Sequence, residues 1–170
     1  MKPRLLIGSL LIFLGTVFYS CAVTPVRPFE IGDKDAQRKV LIATQQSEFK
    51  DAVVSRVTDA LEQEGCFIKV VGLEDLAHES GETFGAIVII NSYWFWQIDG
   101  DASDFIDRFN EKEQEKIILL TTVGEEIWNP GRGNVDTISS ASLMSKVDSI
   151  SEKLIEKIQI LVGPSPSEES

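Results

Sequence analysis

"KVLIATQQSEFKDAVVSRVTDALEQEG", Lys39 to Gly65, is the stretch that decides the fold. Its first six residues, Lys39 to Thr44, form a short apolar run with β-branched members, the pattern of a strand buried on both faces. Ser47 then stands where a helix cap belongs. Phe49, Val53, Val57 and Leu61 recur every four residues on one stripe, and Gly65 supplies a stop. A strand feeding a helix of this length predicts a crossover to a parallel neighbour, not a hairpin.

The unit repeats downstream. "CFIKVVG" (66–72) reads as the second strand, and "LEDLAHESGET" (73–83) as a loop with one helical turn. "FGAIVIINSYW" (84–94) is the third strand. Ser103 is expected to cap a second helix bearing Phe105, Ile106 and Phe109, and "KIILLTT" (116–122) is the fourth strand. "VDTIS" (135–139) fits a fifth, short strand. Leu143, Val147, Ile150, Leu154 and Ile158 then share the stripe of a last helix closed by Gly163 and Pro164. The expectation is an α/β domain: a three-layer, doubly wound parallel sheet of four or five strands, in the order 2-1-3-4 with any fifth strand at the edge.

A length of 170 residues with 43% hydrophobic content suits one domain with a sizeable core. We place it at 38–162. Residues 21–37, with two prolines and no apolar periodicity, read as a tether, and 163–170 as a disordered tail. The net charge of −11 becomes −13 once the first twenty residues, which carry Lys2 and Arg4 and no acid, are set aside. A chain this acidic repels phosphate backbones, which argues against a nucleic-acid partner.

Residues 1–20 join a short basic start to the uncharged run "LLIGSLLIFLGTVFYS", and Cys21 follows at once. This resembles a bacterial lipoprotein signal peptide, with Ser20 as the small residue before a Cys21 that becomes acylated. Phe18 and Tyr19 depart from the usual pattern. The resemblance implies an extracytoplasmic, membrane-anchored protein. The alternative is a single-span inner-membrane anchor over Leu5 to Val23.

The carboxyl ends of the strands form the ligand rim of such a sheet. They carry "TQQSEF", "NSYWFWQIDGD" and "TTVGEEIWNPGRGN". A first strand ending in Thr44, a third ending in Ser92 before Tyr93 and Trp94, the helix "DFIDRF", and a fourth strand closing on Thr121, Thr122 and Gly124 together resemble the flavodoxin-like superfamily. The likeness spans almost the whole body. It implies an FMN site with hydroxyls from Thr44, Ser47, Thr121 and Thr122. Ser92, Tyr93, Trp94 and Trp96 would stand on one side of the ring, and the Gly124 loop on the other.

The phosphate loop departs from that family. "TQQSEF" keeps Thr44 and Ser47, lacks a glycine, and puts Glu48 in the first helical turn. "VDTISSASLMSKV" also resembles the acceptor sequence of proteins that take FMN covalently outside the cytoplasm. Asp136, Ser139 and Ala141 match, and Ser142 stands in place of the acceptor threonine. The plainer reading is that Ser139 or Ser140 caps the last helix.

Other chemistries find no support. His78 is the single histidine and lies in a polar loop, Cys66 lacks a partner once Cys21 is acylated, and neither supports a metal centre. Receiver-domain phosphorylation would need acids where Gln45, Gln46 and Asn91 stand. Glu125 and Glu126 read as exposed loop carboxylates. Two readings remain: a membrane-tethered FMN redox module with a redox or protein partner, and a cofactor-free flavodoxin-like lipoprotein that acts as a binding module.

Overall fold

A computed structural model describes residues 25–93, 97–123 and 133–163. Six strands form one sheet: β1 (Phe29–Ile31), β2 (Lys39–Thr44), β3 (Phe67–Gly72), β4 (Ala86–Ser92), β5 (Ile117–Val123) and β6 (Asp136–Ala141), in the order β1-β3-β2-β4-β5-β6. From β3 to β6 every pairing is parallel. Those five strands, numbered from β2, run 2-1-3-4-5, the flavodoxin-like order of the doubly wound sheets. The chain therefore has an α/β, three-layer, flavodoxin-like architecture, with the fifth strand of the sequence reading present as β6.

The central strands are apolar without alternation because helices cover both faces. Val40 to Ala43 and Ile117 to Leu120 are fully buried. On one face α1 (Glu48–Gln63) and α4 (Val147–Val162) pack against Val40, Ile42, Val88, Ile90 and Leu120 through Val53, Val57, Leu154 and Ile158. On the other, α2 (Gly100–Ile106) and the helical turn Leu73–His78 cover Leu41, Ile87, Ile89 and Leu119 with Phe105, Ile106 and Leu76. Each such side chain contributes about 1.5–3 kcal/mol on burial. The short helix α3 (Glu111–Gln114) starts from a capping box between Asn110 and Glu113.

The caps show why the first crossover ends where it does. Ser47 accepts from the Lys50 backbone N–H at 3.2 Å, as its position predicts. At the other end Gly65 takes φ +74°, with Gly65 N bonded to the Glu62 carbonyl and Cys66 N to that of Leu61. That pair of bonds is a Schellman stop.

Three local expectations are corrected. Asp99, not Ser103, caps α2, its Oδ1 accepting from Asp101 N at 3.0 Å and Ala102 N at 3.4 Å. Leu143 is 53% exposed because the chain makes a short 3-10 turn (Met144–Lys146) before α4, which breaks the projected stripe. Ser139 and Ser140 belong to β6, and the residue before α4, Lys146, provides no side-chain cap.

The stretch read as a tether contributes a strand. β1 pairs antiparallel with β3, Phe29 opposite Val70 and Ile31 opposite Ile68. Glu30 and Lys69 stand opposite each other on this edge, and charges of that kind discourage a further strand from adding there. Among the described residues no helix is long and apolar enough to cross a membrane.

Candidate functional site at the strand carboxyl ends

The first connection runs from β2 outward to β3, and the next crosses back to β4 on the opposite side. The topological switch point therefore lies between the ends of β2 and β4. Side chains from four elements meet there. Gln45, just past β2, donates from Nε2 to Asp99 Oδ2 at 3.0 Å. Its Oε1 accepts from Ser92 N at 3.1 Å and from Lys50 Nζ at 2.9 Å. Lys50 Nζ also donates to Ser92 Oγ at 2.7 Å.

Lys50 is the unexpected member, only 2% exposed in the first turn of α1. Burial brings its ammonium down from 10.5 to about 8, while the fields of Asp99 and Asp51 act in the opposite direction. Its two hydrogen-bond acceptors, Gln45 and Ser92, are both neutral. The sequence held a signal for it: Lys50 lies three and seven residues before Val53 and Val57, on the apolar stripe, where a cation also opposes the helix dipole.

The strand ends continue this polar rim. Asn91, Thr121 and Ser139 stand in register across β4, β5 and β6, and Ser92, Thr122 and Ser140 form the next row. Asn91 Nδ2 donates to Thr121 Oγ1 at 3.2 Å, and Thr122 Oγ1 donates to the Asn91 carbonyl at 3.2 Å. Asn91 Oδ1 and Ser139 Oγ are buried without a hydrogen-bond partner among the described residues. Sequence reasoning anticipated Ser92, Thr121 and Thr122 in these rows but not Asn91, Ser139 and Ser140, because an amide or hydroxyl at a strand end has no periodic signature.

The anticipated site residues divide as follows. Thr44 is buried at the end of β2, with its hydroxyl donating to the Gln45 carbonyl at 3.3 Å. Ser47 is engaged as the α1 cap. Ser92, Thr121 and Thr122 belong to the rim just described. Tyr93 follows Ser92, its N–H donating to the Thr122 carbonyl at 3.0 Å, and burial pushes its phenol above the ordinary value. Ser142 is exposed, between β6 and the turn that leads to α4. Cys21, Trp94, Trp96 and Gly124 lie outside the described residues.

A groove of about 640 Å³ is lined by residues of the 25–31 stretch, by Val54 and Asp51 of α1, by Val70, and by Thr44 and Gln46. Among the described residues no cluster of His, Cys, Asp and Glu could hold a metal ion.

No protein-family model and no curated protein sequence matches this chain. Solved structures do. A mutant form of the flavo di-iron protein from Thermotoga maritima superposes with TM-score 0.52 at 16% identity over 77% of this chain and 35% of that one. The rubredoxin oxygen:oxidoreductase of Desulfovibrio gigas gives TM-score 0.51 at 8% identity over 75% of this chain and 37% of that one. An NADH:FMN oxidoreductase in its apo form gives 0.50 at 10% identity over 76% of this chain and 92% of that one. The chain thus spans little more than a third of the first two proteins. Together with the 2-1-3-4-5 order of β2 to β6, these likenesses establish that the chain has the flavodoxin-like fold.

Proposed function

We propose that the chain is an FMN-binding redox module. The observation that carries this reading is the convergence of Ser92, Thr122, Gln45 and Lys50 on the β2/β4 switch point, where sheets of this order take their ligands. The solved structures of similar fold include an NADH:FMN oxidoreductase.

The donor chemistry suits a phosphate-bearing flavin. Ser47, the first N–H groups of α1 and the Lys50 ammonium would hold the phosphate, and Glu48 is exposed, so its carboxylate stays solvated. Tyr93 and the aromatics that follow it in sequence would stand beside the ring. Bound FMN supplies one- and two-electron transfer. The protein's part is to desolvate the site and to fix the dipoles around it.

Titration of the full-length chain in detergent micelles with FMN tests the proposal. Saturable quenching of flavin fluorescence is expected, and its absence up to about 1 mM FMN would refute the reading. We extend the proposal to a membrane-tethered, extracytoplasmic lipoprotein with Cys21 as the acylated residue, supported by the layout of residues 1–21. Loss of fatty-acid labelling in Cys21→Ala is the expected result. An anchored protein that takes no label in either form would instead favour the single-span anchor.

One observation favours a second reading, the cofactor-free binding module. The Gln45 amide already links Lys50, Ser92 and Asp99 across the switch point, so the chain's own side chains occupy that crevice. The same titration separates the two readings.

A further inference from the structure

We propose that the chain is held with the carboxyl-end rim of its sheet toward the bilayer, so that the β2/β4 switch point opens onto a lipid surface. The inference rests on the membrane tether proposed above, to which it adds an orientation, and it is independent of the flavin reading. Its basis is the place where the chain enters the fold. β1 runs antiparallel to β3 with Phe29 opposite Val70, and Val70 in turn pairs with Ile42. Residues before Phe29 therefore arrive from the carboxyl ends of β2 and β3, where Thr44 pairs with Gly72. Pro25, Val26 and Arg27 line the same groove as Thr44, Gln46 and Asp51. β1 lies two strand spacings from β2, about 10 Å, so the entry point and the switch point share one end of the sheet.

Little chain separates that entry point from either form of the anchor. Cys21 is four residues before Pro25, and Val23, the last residue of the alternative span, is two before it. Whatever their conformation, four residues reach at most about 14 Å. A six-residue strand such as β2 is about 20 Å long. A body turned over onto the amino ends of its strands would lift the rim farther from the bilayer than the tether extends. Surface chemistry at the entry corner selects the rim over the sides. Phe29 is 42% exposed and Val26 half-buried, which suits the interfacial layer, and the exposed guanidinium of Arg27 suits a headgroup phosphate. Glu48 and Asp51, exposed in the first turn of α1, oppose an anionic surface, so the fit is to zwitterionic lipid.

The test uses the full-length, 15N-labelled protein purified from membranes and reconstituted into phosphatidylcholine nanodiscs, with and without a lipid that carries a nitroxide on its headgroup. Paramagnetic broadening is read at the two ends of the sheet. Arg27, Gln46 and Ser47 report on the rim; Gly85 and Lys116, which precede β4 and β5, report on the opposite end. The amide resonances of Arg27, Gln46 and Ser47 should lose severalfold more intensity than those of Gly85 and Lys116. Equal broadening at the two ends, or stronger broadening at Gly85 and Lys116, in protein that stays with the discs would overturn the inference and leave the tether reading standing. A protein that does not associate with the discs would refute the tether reading and the inference with it, and would leave the flavin reading untouched.

Discussion

Lys50 Nζ donates to Ser92 Oγ at 2.7 Å, which pins the first turn of α1 to the carboxyl end of β4 through a charged hydrogen bond containing no carboxylate. The protein thereby keeps a cation in its interior at the point where its two halves meet. That choice has thermodynamic consequences apart from any ligand.

The first consequence is a stability that rises with pH. Burial lowers the folded-state pKa of Lys50 from 10.5 to about 8. Below about pH 8 both states hold the proton, and between that point and 10.5 the unfolded chain binds more protons, so stability increases across this window. The full effect is on the order of 3 kcal/mol. Lys50→Met should be the more stable protein at pH 7, by about 1–3 kcal/mol, and wild type should close the gap by about pH 10. Urea unfolding of both proteins across that range checks this, and parallel profiles would contradict it.

Gln45 should be worth more than its exposed neighbour Gln46. Gln45→Leu removes the shared acceptor of Lys50 Nζ and Ser92 N and the donor to Asp99, taking one partner from the buried Lys50 ammonium and from the half-buried Ser92 and Asp99. We expect a loss of about 2–3 kcal/mol, and a much smaller one in the Lys50→Met background. A double-mutant cycle measured by denaturant unfolding reads the coupling directly.

Two glycines separate backbone strain from crowding. Gly65 has φ +74° with no described atom within 4 Å of an added Cβ, whereas at Gly32, φ +87°, that Cβ would meet the Cys66 carbonyl oxygen at 2.3 Å. Gly65→Ala should cost about 1 kcal/mol and Gly32→Ala distinctly more, about 2–3 kcal/mol. The excess should appear as faster amide exchange in β1. Equal losses would show that the contact at Gly32 relaxes freely.

Asp99→Ala should destabilise α2 by about 1 kcal/mol through loss of its cap. It also removes one of the two acids that hold up the Lys50 pKa. Hydrogen exchange at Asp101 and Ala102 should accelerate, and the Lys50 titration should shift to lower pH. An unchanged Lys50 titration would mean that Asp99 exerts no field at that site.

These particulars mark where the sequence was informative. "KVLIAT" matches β2 residue for residue because a strand buried on both faces leaves an unbroken apolar signature, and the 2-1-3-4-5 order follows from alternating strands and helices. β1 escaped notice because three residues carry no period and their partners lie far along the chain, at Ile68 to Val70. Leu143 misled because a stripe can be extrapolated only while the helix type stays constant. Lys50 was overlooked because a lysine is ordinarily taken as solvated. Its place among Val53, Val57 and Leu61 was nevertheless visible in the spacing.

The antiparallel edge formed by Phe29–Ile31 also has a mechanical meaning. A load entering from residues before Pro25 meets this three-residue ladder first, and the buried parallel strands only afterwards. With only three paired residues, this edge is expected to yield before β2 to β6 do. Because residues 25–31 also line the groove beside α1, release of this edge would remove one wall of that groove.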